Sequence, residues 1–303
     1  MTTRLILSSL CFLLTGCPMH SQSSPGKAFK SYWYNGEAEI TSFDLQQARY
    51  GHTYPGQAVM IFVTEDFSKA KQVKLDHPDE AGNDRINVLK LNLTKKFNTG
   101  IYPYSMMLSS YLPVEKSGNP HALKVTGTTQ EWCGQTFTQL NRKEDGYRMQ
   151  SNSYFETEGD QQTTIPGNYW LEDELWQQIR IDPDELPVGT VDMVPGILFA
   201  RLRHERVEPH RAEARFVQEE ATNVKVYHLR YVDITRELVI YFKADFPYRI
   251  LRWKEITENG FGKDKSVSTT EAIRKETIRL DYWDHHFPED SIYRQRLKLS
   301  SGN

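Results

Sequence analysis

Runs of β-branched and aromatic residues alternate with short turn sequences through most of this 303-residue chain. The clearest turn is Glu144-Asp145-Gly146, because an Asp-Gly step supplies the positive φ that a tight hairpin requires. Consecutive hairpins of this kind fold into an antiparallel sheet. The predicted strands are 36–50, 57–65, 87–98, 102–112, 123–132, 135–141, 147–155, 224–232, 237–243, 248–257 and 266–282.

One segment has helical periodicity instead. Leu171, Leu175 and Ile179 recur every fourth residue, three acids at 172–174 suit a helix N-terminus, and Pro183 ends the pattern. A sheet of this size must bury one face, so it either curls around the helix as a half-barrel or packs on a second sheet as a sandwich. We therefore expect a mainly β fold, one large curved antiparallel sheet with one main helix on its concave side.

Three polar segments lie between or beside these elements. We expect 75–85 and 158–166 to be surface loops, because turn-forming and charged residues dominate them. The charged stretch 201–215, which contains His204 and His210, is predicted to be two solvated strands that meet at Pro209.

The first residues indicate export. One positive charge at Arg4 precedes a short apolar core, and Leu14-Thr15-Gly16-Cys17 is similar to the lipobox of bacterial lipoproteins. We expect a signal peptide at 1–16, a lipidated Cys17 with a flexible tether at 17–30, and a single β-rich domain at 31–303. Pro18 stands where an aspartate would signal inner-membrane retention, which favours anchoring in the outer membrane, on its periplasmic or surface face.

Charge and cysteine content narrow the class of protein. Lysine and arginine number 37 against 40 aspartate and glutamate, so the chain lacks the basic footprint of a nucleic-acid binder. Of three cysteines, Cys11 falls in the leader and Cys17 takes the lipid, which leaves Cys133 without a disulfide partner. We expect Cys133 to be a buried, inert strand residue.

Motifs that would indicate catalysis are missing from the sequence. There is no G-x-S-x-G, P-loop or H-E-x-x-H, so no catalytic residue is predicted, an enzyme is the less favoured reading, and no cofactor is expected. Asp281, Asp284, His285 and His286 form the best local set of metal-ligand types. Adjacent residues of an extended chain point in opposite directions, so the alternative is a polar strand end before Pro288.

Aromatic side chains are the candidates for ligand contact. Trp33, Trp132 and Trp253 are flat surfaces on which a sugar or lipid could lie, although so large a sheet also needs tryptophans in its core.

With "YWYNGEAEI", "KKFNTGIYPYSMM" and "QEWCGQTFTQLN", the chain resembles, from about Tyr32 to Trp283, a family of bacterial, Bacteroidetes-like cell-envelope lipoproteins. Members often carry the label "septum formation inhibitor Maf". Cytosolic Maf pyrophosphatases open with a Ser-x-Ser-Pro-Arg-type loop, whereas this chain has only Ser23-Ser24-Pro25-Gly26 inside the tether. The resemblance therefore implies an envelope lipoprotein and no functional residues.

The expected function is a non-enzymatic binding or envelope-assembly module, held at the membrane by its lipid, whose curved sheet takes a hydrophobic or glycan-like ligand or an envelope protein partner. The alternative is a metal-assisted envelope hydrolase.

Overall fold

Fifteen strands form one sheet in the computed structural model, which describes residues 26–116, 118, 120–219, 223–260 and 265–300. Their order is β8-β7-β6-β5-β4-β3-β2-β1-β15-β14-β13-β12-β11-β10-β9, antiparallel throughout except for the parallel pair β9–β10. The strands are β1 Ala38–Arg49, β2 His52–Ser68, β3 Arg85–Thr99, β4 Tyr102–Pro113, β5 Lys124–Glu131, β6 Gly134–Lys143, β7 Gly146–Ser153, β8 Gln161–Pro166, β9 Trp170–Leu171, β10 Gly189–Val194, β11 His210–Val217, β12 Val224–Tyr231, β13 Arg236–Lys243, β14 Ile250–Asn259 and β15 Ser266–Leu280.

The connection between the two edge strands shows that this sheet is strongly curved. Strands β8 and β9 lie at opposite edges, yet only residues 167–169 join them. Four peptide steps span at most about 14 Å, whereas fourteen strand spacings in a flat sheet would separate the edges by roughly 65 Å. The sheet must therefore curl until its edges approach each other. It does not close, because β8 and β9 do not pair.

Four α-helices occur in the described part of the chain: α1 Lys27–Trp33, α2 Leu175–Ile181, α3 Ile197–Arg203 and α4 Ile292–Arg296. The segment Leu175–Arg180 of α2 is buried on every side, as expected of a helix enclosed by a sheet. The sheet's inner face supplies the core around it, including Leu45, Phe62, Leu91, Leu108 and Ile240. None of these helices is long and apolar enough to cross a membrane.

Helix α3 is the second element inside the curve, and it contacts β4 and β5. A Cβ atom on Gly127 of β5 would lie 2.5 Å from Ile197 Cγ2, so only glycine lets α3 approach this closely. The predicted single main helix is thus confirmed as α2 and accompanied by α3.

Alternate connections lie at opposite ends of the sheet because consecutive strands are antiparallel. Helix α1 precedes β1, so it shares one end, here called the α1 end, with the β2–β3 and β4–β5 connections. The β1–β2, β3–β4, β5–β6 and β7–β8 connections lie at the other end, here called the far end.

Four local predictions were wrong. Residues 161–166, expected in a loop, form β8, and 201–203, expected in a strand, end α3, whose last turn is closed by His204 at φ 56°. Helix α1 begins at Lys27, inside the segment expected to be tether, and buries Phe29. Cys133 is exposed in the turn between β5 and β6.

Candidate binding cleft

The three acids before α2, at positions 172–174, each bond to a different neighbouring element: strand β13, the start of α3, and the β4–β5 connection. Arg236 Nη2 on β13 donates to Glu172 Oε1 at 2.5 Å, and both side chains are almost fully buried. Asp173 Oδ2 accepts from Ile197 N at the start of α3 at 2.9 Å. A Cβ on Gly196 would lie 2.8 Å from Glu172 Oε1 and 3.0 Å from Asp173 Oδ1, so glycine is required where both acids meet α3.

Glu174 contacts the third of these elements, the connection between β4 and β5. Its Oε1 lies 2.7 Å from His121 Nδ1, and its Oε2 accepts from Ala122 N at 2.5 Å. Oε1 also accepts from Leu171 N at 3.1 Å. The carboxylate is fully buried, and these contacts replace the hydration it loses.

Arg180, at the other end of α2, forms a bidentate pair with Glu39 of β1. Nη1 donates to Oε1 at 2.6 Å and Nη2 to Oε2 at 2.8 Å, and both residues are 1% exposed. The guanidinium also lies over the rings of Trp33 and Phe62, at 5.0 and 4.8 Å. Burial alone would raise the pKa of Glu39, but Arg180, with help from Tyr32, lowers it to about 2.

A fifth buried acid, Glu255 of β14, lies between two cations. Arg236 Nη1 donates to Glu255 Oε2 at 3.0 Å, Lys95 Nζ donates to Oε1, and Trp253 Nε1 donates to Oε1 at 3.0 Å. Burial opposes the ionised form, yet Lys95 and Arg236 lower the pKa of Glu255 to about 2.

These ionic contacts leave little free space inside the curve. The cavity between Asp173, Glu172 and α3 measures about 20 Å³, enough for about one water molecule. Burial raises the pKa of Asp173 to about 7, with Glu172 adding to the shift and the Ile197 N–H opposing it. Neither a substrate nor an acyl chain fits at this point.

A larger opening lies where β8 and α3 face each other across the unpaired edges, and it is here called the seam cleft. Towards the α1 end, the inner face of β6, β7 and β8 is apolar, with Leu140, Tyr147 and Ile165 buried. Towards the far end, the same face carries hydroxyls and an amide: Thr136, Thr138, Ser151, Gln161 and Thr163. Thr138 Oγ1 and Ser151 Oγ lie 3.0 Å apart.

The opposite wall of the seam cleft is charged, with Arg201, His204 and Glu158 among its residues. Arg201 of α3 donates from Nη2 to Glu131 Oε1 at 2.7 Å, and its guanidinium lies 4.3 Å from the centre of the Phe155 ring. Its Nε is buried and has no hydrogen-bond partner among the described residues. His204 Nδ1 lies 2.5 Å from Glu158 Oε1.

The seam cleft has a volume of about 600 Å³, within the range of small-molecule sites. Hydroxyls both donate and accept hydrogen bonds. This lining is therefore suited to a ligand rich in hydroxyl groups. These residues were not among the predicted site residues. A local signal was present, because Thr136 and Thr138 lie on the same face of β6 as the apolar Leu140, so this face changes from apolar to polar along the strand.

The three predicted tryptophans fall in different places. Trp33 and Trp253 are 1% and 0% exposed and belong to the hydrophobic core. Trp132 is 62% exposed in the β5–β6 turn at the far end, outside the seam cleft. Cys17, the predicted lipid attachment site, lies outside the described residues.

Only two of the four predicted metal ligands, Asp281 and His285, contact each other, while Asp284 is exposed. His285 lies between two carboxylates, with Nε2 at 3.1 Å from Asp281 and Nδ1 at 3.0 Å from Asp290, which raise the pKa of the imidazole. His286 is exposed, with Nδ1 3.1 Å from the Trp283 carbonyl. Within the described ranges, no group of three or more His, Cys, Asp or Glu side chains is arranged to hold a metal ion.

Comparison with known proteins gives no relative: no protein-family model, curated protein or solved structure matches the chain.

Proposed function

We propose that this protein is a lipid-anchored, non-enzymatic binding module of the cell envelope, and that its seam cleft holds a segment of a glycan. The observation that carries the proposal is a change along the inner face of β6–β8. Its side chains are packed and apolar towards the α1 end, whereas towards the far end hydroxyl groups border open space opposite Arg201. Hydroxyl-rich ligands need closely spaced hydrogen-bond donors and acceptors, which these threonine, serine and glutamine side chains supply.

The filled interior favours a glycan over a hydrophobic ligand. A lipid carrier needs a continuous apolar cavity beneath α2, whereas this space is occupied by paired charges and leaves about 20 Å³. A metal-assisted hydrolase is less favoured, because only Asp281 and His285 of the four predicted ligands contact each other and no group of three such side chains in the described ranges is arranged to hold a metal ion.

The lipobox at Leu14–Cys17 supports the anchor, and Pro18 supports the outer membrane as its location. One acyl chain holds a protein only marginally, so a cysteine that carries a diacylglycerol and an acylated amine would keep the domain at the membrane. Intact-mass measurement of the protein from a bacterial envelope tests this part, and an unmodified Cys17 would contradict it.

The glycan proposal is tested by incubating the full chain on an array of immobilised bacterial and plant glycans, followed by affinity measurement with a retained oligosaccharide. The variant Thr138→Val/Ser151→Ala removes two hydroxyls that bond to each other, so neither is left unpaired inside the fold. We expect about tenfold weaker binding, which corresponds to two lost hydrogen bonds of about 0.7 kcal/mol each.

Thr126→Val is the matched control, since Thr126 is a threonine on the outer face of the neighbouring strand β5. It should leave the affinity unchanged. A folded protein that retains no glycan, or an equal loss in both variants, would contradict the proposal.

A further inference from the structure

Three successive connections at the far end each expose an apolar side chain. Ile101 in the β3–β4 turn is 82% exposed, Trp132 in the β5–β6 turn is 62% exposed, and Tyr154 after β7 is 68% exposed. Polar residues satisfy turns equally well, so side chains of this type at three adjacent connections call for an explanation.

The three connections form one continuous edge, here called the far-end rim and defined by Ile101, Trp132 and Tyr154. Cys133 N donates to Tyr102 Oη at 2.9 Å, which ties the β5–β6 turn to the β3–β4 turn. The rings of Tyr102 and Trp132 have centroids 6.0 Å apart. Tyr154 covers Gly134, whose absent Cβ would lie 2.5 Å from Tyr154 Cγ.

A groove of about 1170 Å³ runs along the outer face beside the rim, and Ile101 and Trp132 line it together with three exposed lysines. Lys96 and Lys275 have no salt-bridge partner within the described ranges, and Lys275 Nζ donates to the Lys298 carbonyl at 2.7 Å. Lys298 is paired with Glu276 and Glu131 with Arg201, which leaves Lys96 and Lys275 beside one carboxylate of the groove, Asp44. The positive charge of this groove is therefore available to an anionic partner.

We propose that the far-end rim and its lysines dock on the surface of an anionic phospholipid bilayer. Trp and Tyr side chains favour the headgroup level, an exposed isoleucine inserts at the acyl boundary, and each nearby lysine is attracted to anionic lipid. Three projecting side chains beside a basic groove suit a soft, charged surface better than a protein interface, which needs a closely packed apolar core. This contact is independent of the glycan proposal and of the lipid on Cys17.

The experiment uses the full chain with Cys11→Ser and Cys17→Ser, which removes the lipid site and leaves Cys133 as the only thiol. Cys133 follows Trp132 and is exposed, so it accepts an environment-sensitive fluorophore at the rim. Vesicles of phosphatidylethanolamine with about 30% phosphatidylglycerol should shift the fluorophore's emission to shorter wavelength, because anionic lipid attracts the lysines. Phosphatidylcholine vesicles should give a smaller shift, and added salt should reduce binding because it screens the lysines.

Flotation of unlabelled variants with the same vesicles separates the contribution of the apolar rim from that of the lysines. Ile101→Asn should weaken binding about tenfold, and Lys96→Gln about fivefold. Val188→Asn is the matched control, since Val188 is 63% exposed but lies outside the far end, between α2 and β10, and should have no effect.

Three results would overturn the proposal: no emission change with anionic vesicles, equal binding to neutral vesicles, or an equal loss in Ile101→Asn and Val188→Asn. A second copy of the chain on the rim would appear as a dimer in sedimentation velocity that Ile101→Asn abolishes, and that outcome would also overturn it.

Discussion

The buried ion pairs around α2 and the seam cleft both place polar groups inside the curve of the sheet, but they differ in what surrounds those groups. Around α2, Glu39 pairs with Arg180 and Glu172 pairs with Arg236, and the cavity beside Glu172 measures about 20 Å³. In the seam cleft, Thr138 and Ser151 border about 600 Å³ of open space. Paired buried charges fix a structure, whereas hydroxyls that border open space can bind a ligand, so the difference separates scaffold from site.

The largest expected effect is on the matched pair. Glu39→Leu leaves the Arg180 guanidinium buried without its carboxylate and should lower the free energy of unfolding by about 3–5 kcal/mol in a urea titration. The double variant Glu39→Leu/Arg180→Met removes both charges and should recover most of that loss. Equal losses in the single and double variants would show that the pair does not act as a unit.

A smaller loss of stability should distinguish the packed half of β6 from the half that lines the cleft. Leu140 is 1% exposed, so Leu140→Ala should cost about 2–5 kcal/mol. Thr138 lies two residues away on the same face but in the cleft, and Thr138→Ala should cost about 1 kcal/mol, the value of its hydrogen bond to Ser151. Similar costs from urea titrations would contradict a cleft at this position.

The third expected effect, the smallest when counted per pH unit, concerns the pH dependence of stability and Asp173. Because burial raises the pKa of Asp173 to about 7 from an ordinary value of 3.8, the folded chain keeps a proton that the unfolded chain releases. The free energy of unfolding should therefore fall as pH rises from about 4 to about 7, by at most about 1.4 kcal/mol per unit.

Asp173→Asn should remove this slope when urea titrations at pH 5, 6 and 7 are compared. Glu39 and Glu255 contribute the opposite slope only below pH 4.5, because the pKa of each is lowered to about 2. An unchanged slope in Asp173→Asn would assign it to another group.

The strands were predictable because their signals are local. Glu144-Asp145 joins β6 to β7 as the Asp-Gly step indicated, and β13 alternates buried and half-buried residues as its sequence does. Strand β8 was missed because both of its faces are polar: one faces solvent and the other the cleft, so 161–164 lack apolar alternation.

The buried ion pairs and the α3 wall of the candidate site were not predictable from local patterns. The acids 172–174 fit a helix N-terminus, and nothing nearby indicates that their partners come from β13, α3 and the β4–β5 connection. Helix α3 was missed because Arg201, Arg203 and His204 give its last turn the charge pattern of an exposed strand. Trp33 and Trp253 were predicted to contact a ligand because a local sequence pattern does not show whether a tryptophan is buried, and both are buried.

The pairing of β1 with β15 in the middle of the sheet has a consequence for biogenesis. Each half of the chain forms its own series of hairpins, but residues 38–46 align with 271–280, more than 220 positions later. Contacts so distant in sequence form slowly, and an unpaired strand edge invites association with other chains. Export as proposed above would keep the β1 edge open until the last strand had crossed the membrane, and periplasmic chaperones would then be expected to bind the chain.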